Sequence, residues 1–266
     1  MIAQKLPARH GLLWVAAAWQ LLRRYPRQLT SMTMLYFLIV LLVNLIPYIG
    51  PFLLPLALPT LTVILANACR TLDSNQELTQ EQLSHGIKEQ RIHLLRLGGL
   101  HLLGSVLLLL ASQPLMQQLN PGQAQSAAGS SDTIFHLVLF LFVASPILMA
   151  FWFAPLLTAW HGLHALKALF FSFIASWRNM SAFLVYGLVV MGVGVFLPGL
   201  LIVIGGLIFP QLVGMLAVMA QMALVMLIGP VLVASIYISY RDVFVAPSGA
   251  NGALSADESP NLPPGP

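Results

Sequence analysis

Charge is what this sequence has least of. Its 266 residues hold 12 Lys and Arg and 8 Asp and Glu, so only 8% are charged, while 58% are hydrophobic. A soluble domain carries about 25% charged residues, so a water-soluble globule is excluded and the chain reads as an integral membrane protein. Cysteine is nearly absent too: Cys69 stands alone, no intramolecular disulfide can form, and packing and lipid must hold the fold. The sequence also lacks a nucleotide-binding loop, a nucleophile elbow, a paired carboxylate and a metal-spaced cysteine set. It reads as a non-enzyme, with no cofactor and no metal. The apolar runs hold no Asp, Glu, Lys or Arg well inside them. That speaks against a proton- or sodium-coupled carrier of the carboxylate type, which keeps ionisable groups at depth.

The charges that are present lie between the apolar runs. A net charge of +4 in a soluble domain would suggest nucleic acid; here it reads as topology, with no nucleic-acid partner. The stretch from Phe151 to Gly187 shows the pattern. Apolar and aromatic residues lead past Trp160 to a short cationic segment, Lys167 to Arg178, with Trp177 at its far end, before the chain turns apolar again. Near the N-terminus, Leu12, Val15, Ala16, Trp19 and Leu22 follow one helix face while Gln20, Arg24 and Arg27 follow the other. GLLWVAAAW is followed by Arg23, Arg24 and Arg27, which fits an interfacial helix better than a signal peptide.

No charge occurs from residue 30 to residue 68. A 30 Å hydrocarbon core takes roughly 20 residues of helix, so this run is two spans, broken at Pro47-Tyr48-Ile49-Gly50-Pro51. The spans are expected at about 30–48, 51–69, 94–113, 134–160, 181–206 and 211–240. Pro198-Gly199 stays open as an alternative hairpin tip. Thr79 to Gln82 carries a capping-box pattern that opens a second surface helix, with Leu83, Ile87 and Leu94 as its membrane-facing residues. The segment 113–132 is rich in Gln, Ser, Ala and Gly and reads as a mobile loop, and 246–266 reads as a disordered tail beyond a single membrane domain, 1–245. All Lys and Arg residues fall in the N-terminal segment, the connections between spans 2 and 3 and between spans 4 and 5, or the C-terminal end. Such a split places both termini in the cytoplasm.

Three segments with cations (Arg23 to Arg27, Lys88 to Arg96, Lys167 to Arg178) each lead into a hairpin. Pro59 precedes Arg70 by eleven residues and Pro230 precedes Arg241 by eleven, each with an acid soon after. Recurrence of prolines and basic ends in any set of spans is the plainer reading; a threefold repeat predicts a pseudo-symmetric bundle. The fold expected is therefore an all-α membrane protein, a six-helix bundle of three hairpins, each preceded by an interfacial amphipathic helix.

Few residues offer chemistry. His161 and His164, three apart, would share a helix face and could ligate a metal, but no acid or cysteine lies near, so they read as interfacial polar groups. His85, His93 and His101 recur every eight residues without the acids a proton relay uses. Gln221 is the most deeply placed strong hydrogen-bonding group and reads first as an interhelical amide, second as a solute contact. Asn44 and Asn67 read the same way. Gly187, Gly192, Gly194 and Gly199 lack the four-residue spacing of the dimer motif.

The segment Pro155 to Gly187, with Lys5-Leu6-Pro7-Ala8-Arg9, Asn67-Ala68-Cys69-Arg70 and Ser239-Tyr240-Arg241-Asp242-Val243-Phe244, resembles an uncharacterised family of bacterial inner-membrane proteins with six transmembrane helices. The similarity runs from about residue 4 to 245. It implies the bacterial inner membrane as location and carries over no activity. More loosely, surface helices ahead of hairpins resemble the membrane domain attached to some glycerophosphodiester phosphodiesterases.

The function expected is that of a membrane scaffold or lipid-interacting accessory protein, with anionic lipid at Arg24, Arg27, Arg91 and Arg178. The alternative is a channel or permease for a neutral or amphiphilic solute, lined by Gln221, Asn44 or His101. A second copy of the chain or another membrane protein stays open as partner.

Overall fold

The structure is a computed structural model that describes residues 3–118 and 131–244; the middle of the 113–132 segment and the tail 246–266 lie outside the described residues. Every element among them is helical. In chain order they are α1 (His10–Arg24), α2 (Pro26–Asn44), α3 (Gly50–Asp73), α4 (Gln80–Leu83), α5 (Arg91–Gln118), α6 (Ser131–His161), α7 (Ala165–Arg178) and α8 (Met180–Met191). A π-helical turn, Gly192–Phe196, leads into α9 (Leu197–Ile208), and a 3-10 turn, Pro210–Leu212, precedes α10 (Val213–Phe244). Six stretches are long and apolar enough to cross a membrane: Pro26–Asn44, Gly50–Asp73, Arg91–Gln117, Asp132–His161, Met180–Ile208 and Val213–Phe244. The chain is an all-α, multi-pass membrane protein.

Breaks between helices follow from local chemistry. Pro26 starts α2 because a first-turn residue has no intrahelical partner for its N–H, and it pushes Tyr25 out of helical geometry (φ −129°, ψ 57°). Pro198 does not make a hairpin tip. A proline ring crowds the carbonyl four residues back, here Gly194, and the wider π turn over Gly192–Phe196 absorbs that clash, so the span continues through α9. The tip falls at Phe209, where the backbone leaves the helix (φ −132°, ψ 75°).

The helices pack in a cycle. The returning helix of each hairpin (α3, α6 and α10) touches the other two. Outgoing helix α2 lies against α3 and α10, and α5 against α3 and α6. The segments that precede the hairpins rotate in the same sense: α4 packs on α3, α7 on α6 and α5, and α1 on α10 and α8. Each thus rests on the hairpin one step back around the ring, but the outgoing helices break the pattern: α8 lies on α1 rather than on α10 and α6.

Burial is concentrated at one end. Trp14, Leu29, Cys69, Leu97, Phe153, Leu157 and Val243 are buried where the surface segments meet the bundle. Toward the opposite end Leu42, Leu45, Leu110, Phe142, Leu188 and Leu207 are exposed. Lipid tails cover such side chains as well as protein does, so the bundle can be tight at one end and open at the other.

Two surface segments differ from expectation. α1 buries Gly11, Trp14, Ala18, Leu21 and Leu22, while Leu12 and Trp19 of the expected apolar face are exposed. The face that packs is the one wedged between α8 and α10, which leaves Leu12 and Trp19 on its outer side. The second surface helix is a single turn. Its capping box forms, with Thr79 Oγ1 accepting from Gln82 N–H at 3.3 Å and Gln82 Oε1 accepting from Thr79 N–H at 3.2 Å. Gly86, at φ +75°, then turns the chain back, and Leu94 is buried with Val63 and Ala159, with Ile87 packed against them, rather than facing lipid. In α6, Ser172 of α7 inserts beside the backbone ladder: its hydroxyl accepts from Phe153 N–H at 2.9 Å and donates to Met149 C=O at 2.8 Å.

Candidate functional site at the convergence of the returning helices

Four basic segments that lie far apart in sequence meet at one end of the bundle. Gln4 N–H donates to Val243 C=O at 2.9 Å, which ties the N-terminal segment to the end of α10. Asn179, between α7 and α8, is buried; its Oδ1 accepts from Leu6 N–H at 2.8 Å and its Nδ2 donates to Gln4 C=O and Ala175 C=O at 2.9 Å. Tyr25 hydroxyl donates to Asn75 Oδ1 at 2.7 Å, joining the α1–α2 break to the connection after α3.

At the centre of this end the three returning helices are cross-braced. Asn67 of α3 is 2% exposed. Its Nδ2 donates to Leu83 C=O at 3.0 Å and His85 C=O at 2.9 Å, closing the turn after α4, and its Oδ1 accepts from Trp160 Nε1 of α6 at 2.8 Å. The Trp160 ring meets the edges of Tyr237 and Tyr240 of α10, and the Arg70 guanidinium lies 5.2 Å from its centroid, a cation–π distance. Tyr237 hydroxyl and Arg241 Nη1 both donate to Asp73 Oδ2 at 2.9 Å, and Arg241 also pairs with Asp242. A ring nitrogen of His161 bonds the Tyr240 hydroxyl. Almost every polar group here is engaged by another, a geometry suited to holding helices together.

Recesses open beside this junction and along the spans that lead from it. One of about 670 Å³ is polar, bordered by Arg70, Thr71, Gln76, Glu81 and His85. One of about 650 Å³ lies between α5 and the turn from α6 to α7, with His93, Arg96 and His164 at its rim and Leu100 and Leu103 on its wall. The third, about 470 Å³, is apolar, between α1, the π turn and α10, with Trp19, Val193, Leu197 and Leu227 among its lining.

The residues singled out in the sequence fall in different places. Arg24, Arg27, Arg91 and Arg178 are exposed at the basic end, Arg24 with its guanidinium 5.5 Å from the Tyr25 ring centroid. Asn67 makes the interhelical amide bond expected of it. Asn44 does not: its Nδ2 donates to Val40 C=O of its own helix at 2.8 Å. Gln221 is exposed and forms no hydrogen bond among the described residues, so the expected interhelical bond is not made among them. The His101 ring meets the edge of Phe151 with centroids 4.8 Å apart. None of the three lines the recesses described above. His161 and His164 are not on one helix face, because Gly162 (φ +63°) ends α6 between them; His161 turns to Tyr240 and His164 to His93. No sequence signal marks Trp160, Tyr237 or Asn179 as polar braces, although Asn67, Trp160, Asn179 and Tyr240 all lie in the segments that carry the family resemblance.

No protein-family model matches the chain. No solved structure matches it either. The chain is 31% identical over 263 residues to a protein of Burkholderia thailandensis described as a probable inner membrane protein, a match that covers 90% of this chain and 93% of that one. With that likeness running nearly the length of both proteins, and with six helices able to span a bilayer, the chain belongs to this family of bacterial inner-membrane proteins.

Proposed function

We propose that the protein is a membrane scaffold or lipid-interacting accessory protein whose basic end rests on the anionic cytoplasmic leaflet, with both termini on that side. The observation that carries this reading is the state of the cations. Arg241 is the one Lys or Arg in an ion pair among the described residues, and the other eleven of the twelve are exposed. Unneutralised cations gathered at one end of an apolar bundle are matched by lipid phosphates, each worth about 1 kcal/mol near an anionic surface. The junction beneath them is braced, as a platform for lipid or a partner requires, and it offers no reactive constellation.

The test is native mass spectrometry of protein released from phosphatidylglycerol-containing membranes. Wild type retains anionic lipid, and changing Arg24, Arg27, Arg91 and Arg178 together to Gln lowers the retained amount severalfold. Unchanged retention, or solute flux in liposomes abolished by Gln221→Leu, overturns the reading in favour of a permease.

A further inference from the structure

The recess between α5 and the α6–α7 turn is apolar along its wall and carries polar side chains only at its rim. Its rim is cationic and imidazole-bearing. Arg96 is exposed and has no hydrogen bond or ion pair among the described residues. His93 and His164, from α5 and from the residue that precedes α7, stand with their Nδ1 atoms 3.3 Å apart and their rings edge to face at 4.4 Å. One imidazole donates to the other there, which leaves the accepting ring's Nε2–H to donate to a ligand. No acidic side chain lines the recess. Along α5 the lining turns apolar one to two turns beyond Arg96, at Gly99, Leu100 and Leu103. Gly99 opens the floor: a Cβ placed there would meet nothing within 4 Å. The polar groups therefore sit toward the basic end and the apolar slot runs into the span, the order in which a phospholipid presents phosphate and acyl chain.

We propose that this recess binds an anionic phospholipid, with its phosphate on Arg96, His93 and His164 and one acyl chain along Gly99, Leu100 and Leu103. The proposal rests on the lipid-interacting reading above and adds a defined site to it. Free inorganic phosphate shares the headgroup chemistry but has nothing to occupy the slot. That difference decides the source.

Phosphatidylglycerol, phosphatidylcholine or inorganic phosphate is titrated into the purified full-length protein and bound species are counted by native mass spectrometry. Wild type favours phosphatidylglycerol over phosphatidylcholine. Arg96→Gln and His164→Ala each weaken that binding at least fivefold, and Arg96→Lys restores part of it. Gly99→Leu, whose Cβ meets no atom within 4 Å, is expected to fill the slot and weaken phosphatidylglycerol binding while its melting temperature stays that of wild type. If Arg96→Gln and Gly99→Leu both leave binding unchanged while the Arg24, Arg27, Arg91 and Arg178 variant loses lipid, this site is wrong and the general reading stands. Absence of any preference for anionic lipid in wild type sinks both. Displacement of lipid by millimolar phosphate, with Gly99→Leu silent, assigns the rim to free phosphate and overturns the phospholipid proposal.

Discussion

Arg241 and Asp73, the one near the end of α10 and the other the last residue of α3, are joined from Nη1 to Oδ2 at 2.9 Å, and Tyr237 hydroxyl donates to the same Asp73 oxygen. This contact ties the ends of the first and third returning helices. Both side chains are about a third exposed, at 38% and 34%, so solvent screens the pair. A double-mutant cycle with Arg241→Gln and Asp73→Asn is expected to give a coupling of about 0.5–1 kcal/mol in detergent-solubilised unfolding. Asp73→Ala is expected to cost more than Arg241→Gln, because it also strands the Tyr237 hydroxyl. Equal costs would mean that Tyr237 takes no part.

Two asparagines near opposite ends of the first hairpin separate a brace from a bystander. Asn67 satisfies two carbonyls and one indole N–H across three elements, whereas Asn44 bonds only its own helix and is exposed. Asn67→Leu leaves buried donors and acceptors without partners, at about 1–3 kcal/mol for each group. Asn44→Leu leaves none. The measurement is thermal unfolding of both variants: the first should melt several degrees lower, the second within about 2 °C of wild type, on a scale where 1 kcal/mol moves a domain of this size by roughly 2–4 °C. A neutral Asn67→Leu would show that the junction does not hold the bundle together.

The N-terminal segment should guard the third hairpin rather than the first. It touches the chain through Asn179 and Val243, and α1 packs on α8 and α10. Deleting residues 1–6, or changing Asn179 to Ala, is expected to open the α7–α8 junction. Limited trypsin digestion should then cut after Arg178 several times faster than in wild type, while cleavage after Arg91 stays constant. Equal acceleration at both sites would argue for general unfolding.

The spans are legible in the sequence because an uncharged run longer than one bilayer crossing can hardly be anything but membrane-spanning helix, and the meeting of the basic segments follows from where Lys and Arg sit. Which face of each span looks inward is not legible. Lipid and protein interior are equally apolar, so Leu97, buried, and Leu95, exposed, give the same signal. The same ambiguity hides the buried stripe of α1 at Trp14 and Ala18 and the inward turn of Leu94. Of the candidate site, Asn67 stands out as an amide near a span end. Its partners do not, because Trp160 at a span end looks like any interfacial tryptophan until the fold brings Asn67 beside it. Spacing alone pairs His161 with His164, and a single left-handed glycine between them undoes the pairing.

Orientation can be tested from the loops outward. Reporter fusions after Gln125 and after Ala250 should report opposite sides of the membrane, the second on the cytoplasmic side. The argument is geometric as well as electrostatic. α5 and α6 each exceed the roughly 20 residues a bilayer needs, at 28 and 31 residues, so the far ends of both helices reach the side away from the basic end. The end of α10 carries Arg241 at the basic end itself. Changing Arg23, Arg24 and Arg27 together to Glu removes the cations at the break before α2 and reverses the local charge, which should weaken the orientation of the first hairpin most. The packing of α1 on α8 and α10 works against inversion, so a mixed population is expected rather than a full flip. Protease accessibility that does not change in the triple variant would mean that this packing, and not the arginines, fixes the first hairpin.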